Sequence, residues 1–199
     1  MLKIKPDLLD LQRRFYLLFL GAATLVAAPV ILFKYLFFGR YRGILLKRLG
    51  LNLDIPKVSC LKPVFWVHGV SLGEIRAASP FVEALQKDYP DHQIILSALT
   101  STGYDAATKI SGVIPYLLPS DLWTSFVMKR IRPKCLFLIE GDIWPNMVMT
   151  TCRVLVINGK ISENTYFWLK WFPIAKRFLL APIHFWAVQS EIYRDRLLK

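Results

Sequence analysis

The sequence predicts an α/β fold, in which a doubly wound, mostly parallel, Rossmann-like sheet over residues 51–199 follows an N-terminal membrane-anchor helix within residues 1–50. From residue 64 onward, short apolar runs alternate with helical patterns, and such strands are typical of a parallel sheet covered on both faces. Residues 15–33 contain no charged side chain. Without the anchor, roughly 150 residues remain, which is enough to bury a sizeable core.

The uncharged run 15–33 is the predicted anchor. About 20 helical residues cross a hydrocarbon core of ~30 Å. Pro29 would kink this helix, and Lys34 would have to extend toward the headgroups. Asp7 and Asp10 precede the run, which argues against a cleaved signal peptide. A single span and a helix lying in the membrane interface both remain open.

The charge distribution indicates contact with anionic lipid rather than with nucleic acid. The chain has a formal net charge of +12, and residues 1–50 hold nine basic and two acidic residues, a net +7. A basic collar beside an apolar run suits lipid headgroups. Basic residues flank the run on both sides, so the positive-inside rule does not settle its orientation. Residues 41–49 are predicted to form a short basic helix that ends at Gly50.

Cysteine and histidine spacing predicts no metal site. The three cysteines form no C-x-x-C pair, and the three histidines show no zinc spacing. Reduced thiols and a cytosol-facing domain are the expectation. These residues are Cys60, Cys135, Cys152, His68, His92 and His184.

The elements of the sheet domain follow a linker at 51–63. The apolar runs predict strands at 64–68, 93–98, 114–118, 134–140, 153–158 and 184–189. The intervening patterns predict helices near 74–88, 104–110, 122–131, 144–151 and 166–180.

Polar and glycine residues follow five of these strands. Ligands bind at the carboxyl ends of the strands in open α/β sheets, so this edge is the predicted site. The segments after the strands are 69–74, 100–103, 119–121, 140–146 and 159–160. No G-x-G-x-x-G and no G-x-x-x-x-G-K-[ST] motif follows a strand, which disfavours a nucleotide-dependent oxidoreductase and a P-loop enzyme.

Glu74 has two interpretations. Ser71 and Glu74 have the S-x-x-E spacing of a capping box, in which the two residues satisfy backbone N–H groups at a helix start. Alternatively, Glu74 points into the cleft as a general base, kept ionised by the helix dipole.

Glu140 and Asp142 form a second acidic cluster at the end of the fourth strand. Their structural interpretation is an N-cap for the helix near Trp144, but capping does not explain why acids close two strands at one edge. His68 ends the first strand, where a hydrogen-bonded structural role is commoner than catalysis.

The stretch 166–173 is rich in aromatic residues and is followed by Lys176 and Arg177. Core packing and contact with a membrane interface are both open for these rings.

Together these motifs resemble the N-terminal domain of the 3-deoxy-D-manno-octulosonic acid (Kdo) transferases of lipopolysaccharide synthesis. Residues 68–74 (HGVSLGE) resemble the family's H-x-V-S-[VL]-G-E, and 100–103 (TSTG) resemble its T-P-T-G. Residues 139–146 (IEGDIWPN) resemble M-E-T-E-L-W-P-N, and 158–162 (NGKIS) resemble N-A-R-L-S. Residues 189–191 (QSE) match the end of its last N-domain strand.

The resemblance implies the N-terminal, acceptor-binding half of a GT-B glycosyltransferase that is inverting and needs no metal or cofactor. Glu74 would be the general base. The substrate-binding residues would be Ser71, Gly73, Thr100, Thr102, Glu140, Asp142, Asn158 and Lys160. Lysine at 160, where the family has arginine, would weaken a bidentate phosphate contact.

By the same resemblance, the acceptor is a lipid A precursor, the donor is CMP-Kdo, and the site is the cytoplasmic face of the inner membrane. The donor-binding domain is expected to lie outside the 199 residues, so the chain alone is expected to be inactive. The alternative is a membrane-tethered lipid-binding or scaffold module without catalysis.

Overall fold

A computed structural model describes residues 6–37, 46–47, 49–51, 53–149 and 152–198. The strands are β1 (Val64–His68), β2 (Gln93–Ala98), β3 (Val113–Leu117), β4 (Cys135–Ile139), β5 (Arg153–Gly159) and β6 (Ile183–Val188). The helices are α1 (Pro6–Phe37), α2 (Leu72–Asp88), α3 (Ser101–Ala107), α4 (Asp121–Ile131), α5 (Pro145–Val148), α6 (Glu163–Trp171), α7 (Pro173–Leu180) and α8 (Glu191–Leu198).

The six strands form one all-parallel sheet in the order β3-β2-β1-β4-β5-β6, which confirms the predicted doubly wound fold. Consecutive strands pair from β1 outward to β3, and the chain then crosses back to place β4 on the other side of β1. This reversal makes a crevice beyond the carboxyl ends of β1 and β4, where ligands bind in such sheets.

Alternate residues of each strand face opposite sides of the sheet, so the core has two layers. Trp66, Ile95 and Leu136 are buried on one face. Val67 and Leu96 are buried on the other. Burial on both faces explains why these strands are apolar at nearly every position.

The bounds of several elements differ from the predicted ones. The predicted helix 166–180 is wrong as one helix, because the chain forms α6 and α7, which meet at Phe172 and Pro173. Proline has no N–H to donate and fits the first turn of a new helix. The helix predicted at 144–151 is described only as the short α5; residues 150–151, like most of the helix predicted at 41–49, lie outside the described residues.

Helix α1 contains the predicted anchor. Residues 10–37 are long enough to cross a membrane, and their most apolar 18-residue window has a mean hydropathy of 2.3. Its large apolar side chains are exposed along its length, among them Phe15, Leu25 and Phe37. A single apolar helix near the N-terminus is weak evidence for membrane contact by itself, because signal sequences share these properties.

The first turns of α1 dock on the sheet domain, which the sequence did not predict. The Arg13 Nε donates to the Asn146 Oδ1 at 2.8 Å, and the Tyr16 hydroxyl donates to the Asp121 Oδ2 at 2.9 Å. Asp121 is buried, and it also accepts hydrogen bonds from the backbone N–H groups of Asn146 and Met147. One carboxylate therefore joins α1, α4 and α5.

Candidate functional site

Glu74 and Glu140 stand at the crevice between β1 and β4. Glu74 lies in the first turn of α2, which follows β1, and Glu140 directly follows β4. Gly69 allows the approach, because a Cβ there would lie 3.0 Å from the Cβ of Glu74. The topology thus brings together two acids that are 66 residues apart in the sequence.

The predicted capping box is present, with one difference. The Ser71 Oγ accepts from the Glu74 N–H at 3.5 Å, and the Ser71 hydroxyl donates to the Glu74 Oε1 at 3.0 Å. The other carboxylate oxygen accepts from the Val70 N–H at 2.6 Å, rather than from Ser71. The side chain of Glu74 is therefore held in one orientation from both oxygens.

The pKa of Glu74 is raised above its ordinary value of 4.5, mainly because the carboxyl is buried. The hydrogen bonds from Val70 and Ser71 oppose this shift, while the charges of Asp142 and Glu140 add to it. The expectation that the helix dipole keeps Glu74 ionised left out burial, which is the main cause of the pKa shift. A raised pKa makes a carboxylate a better proton acceptor.

The backbone at the end of β4 turns sharply at Glu140. Its φ is 62°, in the left-handed region that costs energy for a side chain with a Cβ. The Glu140 N–H donates to the carbonyl of Ile157 at 3.0 Å, and the Lys160 N–H donates to the carbonyl of Glu140 at 3.1 Å. The side chains of Lys160 and Glu140 also form an ion pair, and this hydrogen bond raises the pKa of Lys160.

A cleft of about 490 Å³ opens beside these residues. Its polar lining includes Glu74, Glu140, Asp142 and Lys160, so four of the predicted site residues share it. The rest of the lining is mainly apolar and comes from the segments after β4 and β5, from α6 and α7, and from β6. These apolar residues are Ile143, Ile161, Leu169, Leu179, Leu180 and Trp186.

The other predicted site residues do not line this cleft. Ser71 holds Glu74, and Thr100 caps α3 by accepting from the Gly103 N–H at 3.1 Å. Thr102 lines a separate cavity between α2 and α3. Gly73 and Asn158 are exposed.

His68 fits the structural interpretation. It is 1% exposed, and its Nδ1 lies 2.8 Å from the Ser97 Oγ, which also accepts from the Trp66 indole N–H at 2.7 Å. Burial lowers the pKa of His68 to about 4, so its imidazole is neutral at physiological pH.

The aromatic stretch that follows Ser162 is largely exposed. Four of its rings lie between 52% and 66% exposed: Phe167, Trp168, Trp171 and Phe172. Core packing therefore does not explain these four rings. Leu169, on the same helix α6, is instead buried against the cleft.

Sequence reasoning missed two parts of the site. The apolar residues that line the cleft come from separate elements. No local sequence pattern predicts that Leu179 or Trp186 lines the same cleft as Glu140. The sequence places Asp121 in the segment after the third strand but does not predict that it is buried. Its carboxylate accepts four hydrogen bonds, and the one from Tyr16 links it to α1.

The polar residues of the cleft can bind hydroxyl groups. Carboxylates accept hydrogen bonds from hydroxyl groups, and one with a raised pKa can also take a proton from an attacking hydroxyl. Among the residues that the structure describes, no three His, Cys, Asp or Glu side chains are placed to hold a metal ion.

Comparison with known proteins gives one consistent result. Residues 45–199 match the family described as 3-deoxy-D-manno-octulosonic-acid transferase (kdotransferase). A 3-deoxy-D-manno-octulosonic acid transferase of Chlamydophila psittaci is 32% identical over 98% of this chain and 47% of its own length. One of Chlamydia muridarum is 30% identical over 95% of this chain and 46% of its own length.

A relative that matches a shorter stretch of the chain has the same name. The 3-deoxy-D-manno-octulosonic acid transferase of Haemophilus influenzae is 34% identical over 63% of this chain and 31% of its own length. The chain thus spans about half the length of the chlamydial relatives that it matches. Because the family match covers residues 45–199, more than half of the sequence, the chain belongs to the Kdo transferase family.

Proposed function

We propose that this chain is the acceptor-binding half of a glycosyltransferase that moves Kdo from CMP-Kdo to a lipid A precursor at the cytoplasmic face of the inner membrane. Family membership supports Kdo transfer, and the cleft supports the acceptor role. The relatives are about twice as long as this chain, so we assign the CMP-Kdo contacts mainly to the part of such proteins that it does not match.

The observation that carries the acceptor assignment is the mixed lining of the cleft. Three carboxylates and Lys160 belong to that lining, where sugar hydroxyls would bind, and so do six apolar residues, where an acyl chain would bind. Helix α7, which supplies Leu179 and Leu180 to the lining, also contacts α1. Phe178, next to the cleft residue Leu179, lies with its ring centroid 6.2 Å from that of Tyr16.

In the proposed reaction, Glu74 accepts the proton of an acceptor hydroxyl. The hydroxyl oxygen forms a bond to the anomeric carbon of Kdo, and the bond from that carbon to CMP breaks, with its electron pair leaving on CMP. Attack opposite the leaving group inverts the configuration. A positioned general base contributes roughly 10²–10⁴-fold to such a step, and alignment of donor and acceptor supplies much of the remainder.

The other residues hold the acceptor or the base. Glu140 and Asp142 accept hydrogen bonds from sugar hydroxyls, and Lys160 is placed to meet a phosphate when its pairing with Glu140 opens. Ser71 and Thr100 fix the turns from which α2 and α3 begin.

The test is a transfer assay on this chain fused to the unmatched second half of the Chlamydia muridarum relative. Radiolabelled Kdo should appear on the lipid A precursor, and Glu74→Gln should remove most of this transfer. Precursor binding without any transfer by an intact, folded fusion would support the lipid-binding module and contradict the enzyme assignment.

A further inference from the structure

The start of α1 and the segment that follows α1 meet the same part of the folded domain. Near its start, Tyr16 donates to Asp121, the first residue of α4. Beyond its end, Gly50 lies against the indole of Trp123, two residues further along α4, where a Cβ on Gly50 would collide with the ring. Between these two contacts with α4, the chain passes along α1 from Tyr16 to Phe37 and continues to Gly50.

Two further contacts support each attachment. Arg13 donates to Asn146, whose side chain is fully buried. On the return side, the Lys47 ammonium lies 6.0 Å from the centroid of the Tyr104 ring, and the next residues of the chain, including Leu53, pack on the core. The start of α1 is thus fixed to the domain by described contacts, and so is the later segment that contains Lys47, Gly50 and Leu53.

A membrane-spanning α1 conflicts with these attachments. At 1.5 Å per residue, Phe37 lies about 31 Å along the helix from Tyr16, which matches the ~30 Å hydrocarbon core. Phe37 would then stand at the far surface, and residue 46 would have to be back at the near one. Nine residues reach at most about 32 Å when fully extended.

That return path would also be energetically prohibitive. An extended chain in hydrocarbon leaves its backbone N–H and C=O groups without hydrogen-bond partners, which is unfavourable for each group. Residues 38–45 include Arg40 and Arg42, and a charged side chain at the bilayer centre adds a further energetic cost.

We propose that α1 enters and leaves the membrane from one face, with its exposed apolar side chains in the hydrocarbon of a single leaflet. This proposal goes beyond membrane attachment itself, on which it rests. The basic residues at both ends then lie at one headgroup surface, which explains why the positive-inside rule gives no orientation: Arg13 and Arg14 precede the apolar run, and Lys34, Arg40, Arg42 and Lys47 follow it.

The test uses cysteine labelling of the full chain in the inner membrane of a Gram-negative host. Asp10→Cys and Arg40→Cys report on the two ends of α1, and the native Cys60, which is exposed on the domain, is the internal control. A membrane-impermeant maleimide is applied to spheroplasts and, separately, to inside-out vesicles, and mass spectrometry identifies the labelled sites.

We expect both reporters to be labelled in the same preparation as Cys60. Labelling of Arg40→Cys only in the opposite preparation would overturn the proposal, and Arg42→Cys repeats the measurement if the first variant does not fold. Attachment has its own readout, because recovery of the chain in the soluble fraction without detergent would defeat membrane binding itself.

Discussion

Replacing Glu74 with glutamine separates its two roles, because the structure predicts a small effect on stability and a large one on transfer. A glutamine can keep both hydrogen bonds: its oxygen accepts from the Val70 N–H, and its amide donates to the Ser71 Oγ. The free energy of unfolding should therefore change by less than about 1 kcal/mol, the usual scale of a helix cap. Loss of the general base should lower transfer by roughly 10²–10⁴-fold.

The pH dependence gives a second, independent signature of Glu74. The pKa of Glu74 is raised in the folded chain, so the folded state binds the proton more tightly than the unfolded state does. The stability that this proton contributes is fully present below pH 4.5, the ordinary pKa, and is lost as the pH rises through the raised pKa. Glu74→Gln should thus gain stability relative to the wild type as the pH rises through that range. Transfer by the wild type should fall as the pH drops through the same pKa, because the base becomes protonated.

The assay is guanidinium unfolding in detergent, followed by tryptophan fluorescence, combined with the transfer assay of the fusion. The matched control is Glu83→Gln, an exposed glutamate on the same helix, which should change neither quantity. Full transfer by Glu74→Gln would leave Glu74 with only the capping role. A loss of stability of several kcal/mol would instead show that the two hydrogen bonds are not kept.

Three further predictions concern other parts of the chain. Tyr16→Phe removes the hydrogen bond to Asp121 and should lower the free energy of unfolding in guanidinium by about 1–2 kcal/mol. The control Tyr89→Phe, at a ring that is 46% exposed, should not lower it, and equal losses for the two variants would contradict the docking of α1. Lys160→Gln should weaken precursor binding measured by calorimetry. Because Lys160 is 52% exposed, the same change should alter the free energy of unfolding by at most about 1 kcal/mol. Unchanged binding would show that Lys160 is not part of the acceptor site. Trp171→Ala, at a ring that is 66% exposed, should reduce the fraction of the chain that co-sediments with anionic vesicles. It should not lower the guanidinium concentration at the midpoint of unfolding, and a lower midpoint would indicate that Trp171 has a packing role.

The sheet could be predicted from the sequence because its central strands, β1, β2 and β4, are short and buried on both faces. Val64–His68 is buried at every position, so its apolar run appears directly in the sequence, as it does at Cys135–Ile139. Ser71 and Glu74 could be predicted because a capping box is local, and its two side chains are only three residues apart.

The rest of the site depends on contacts that no local pattern records. Arg13 and Tyr16 look like ordinary residues at the start of a membrane helix, yet their partners lie 133 and 105 residues away. Leu179 of α7 and Trp186 of β6 likewise line the same cleft although they belong to different elements. The break between α6 and α7 was readable at Pro173, but the continuous aromatic pattern favoured a single helix.

The most direct test of the acceptor role is calorimetry on the full chain reconstituted in lipid nanodiscs, titrated with a lipid A precursor and, separately, with CMP. We expect saturable binding of the precursor, weakened by Glu140→Ala in the lining of the cleft, and no binding of CMP. Micromolar binding of CMP without binding of the precursor would contradict the assignment of this cleft to the acceptor.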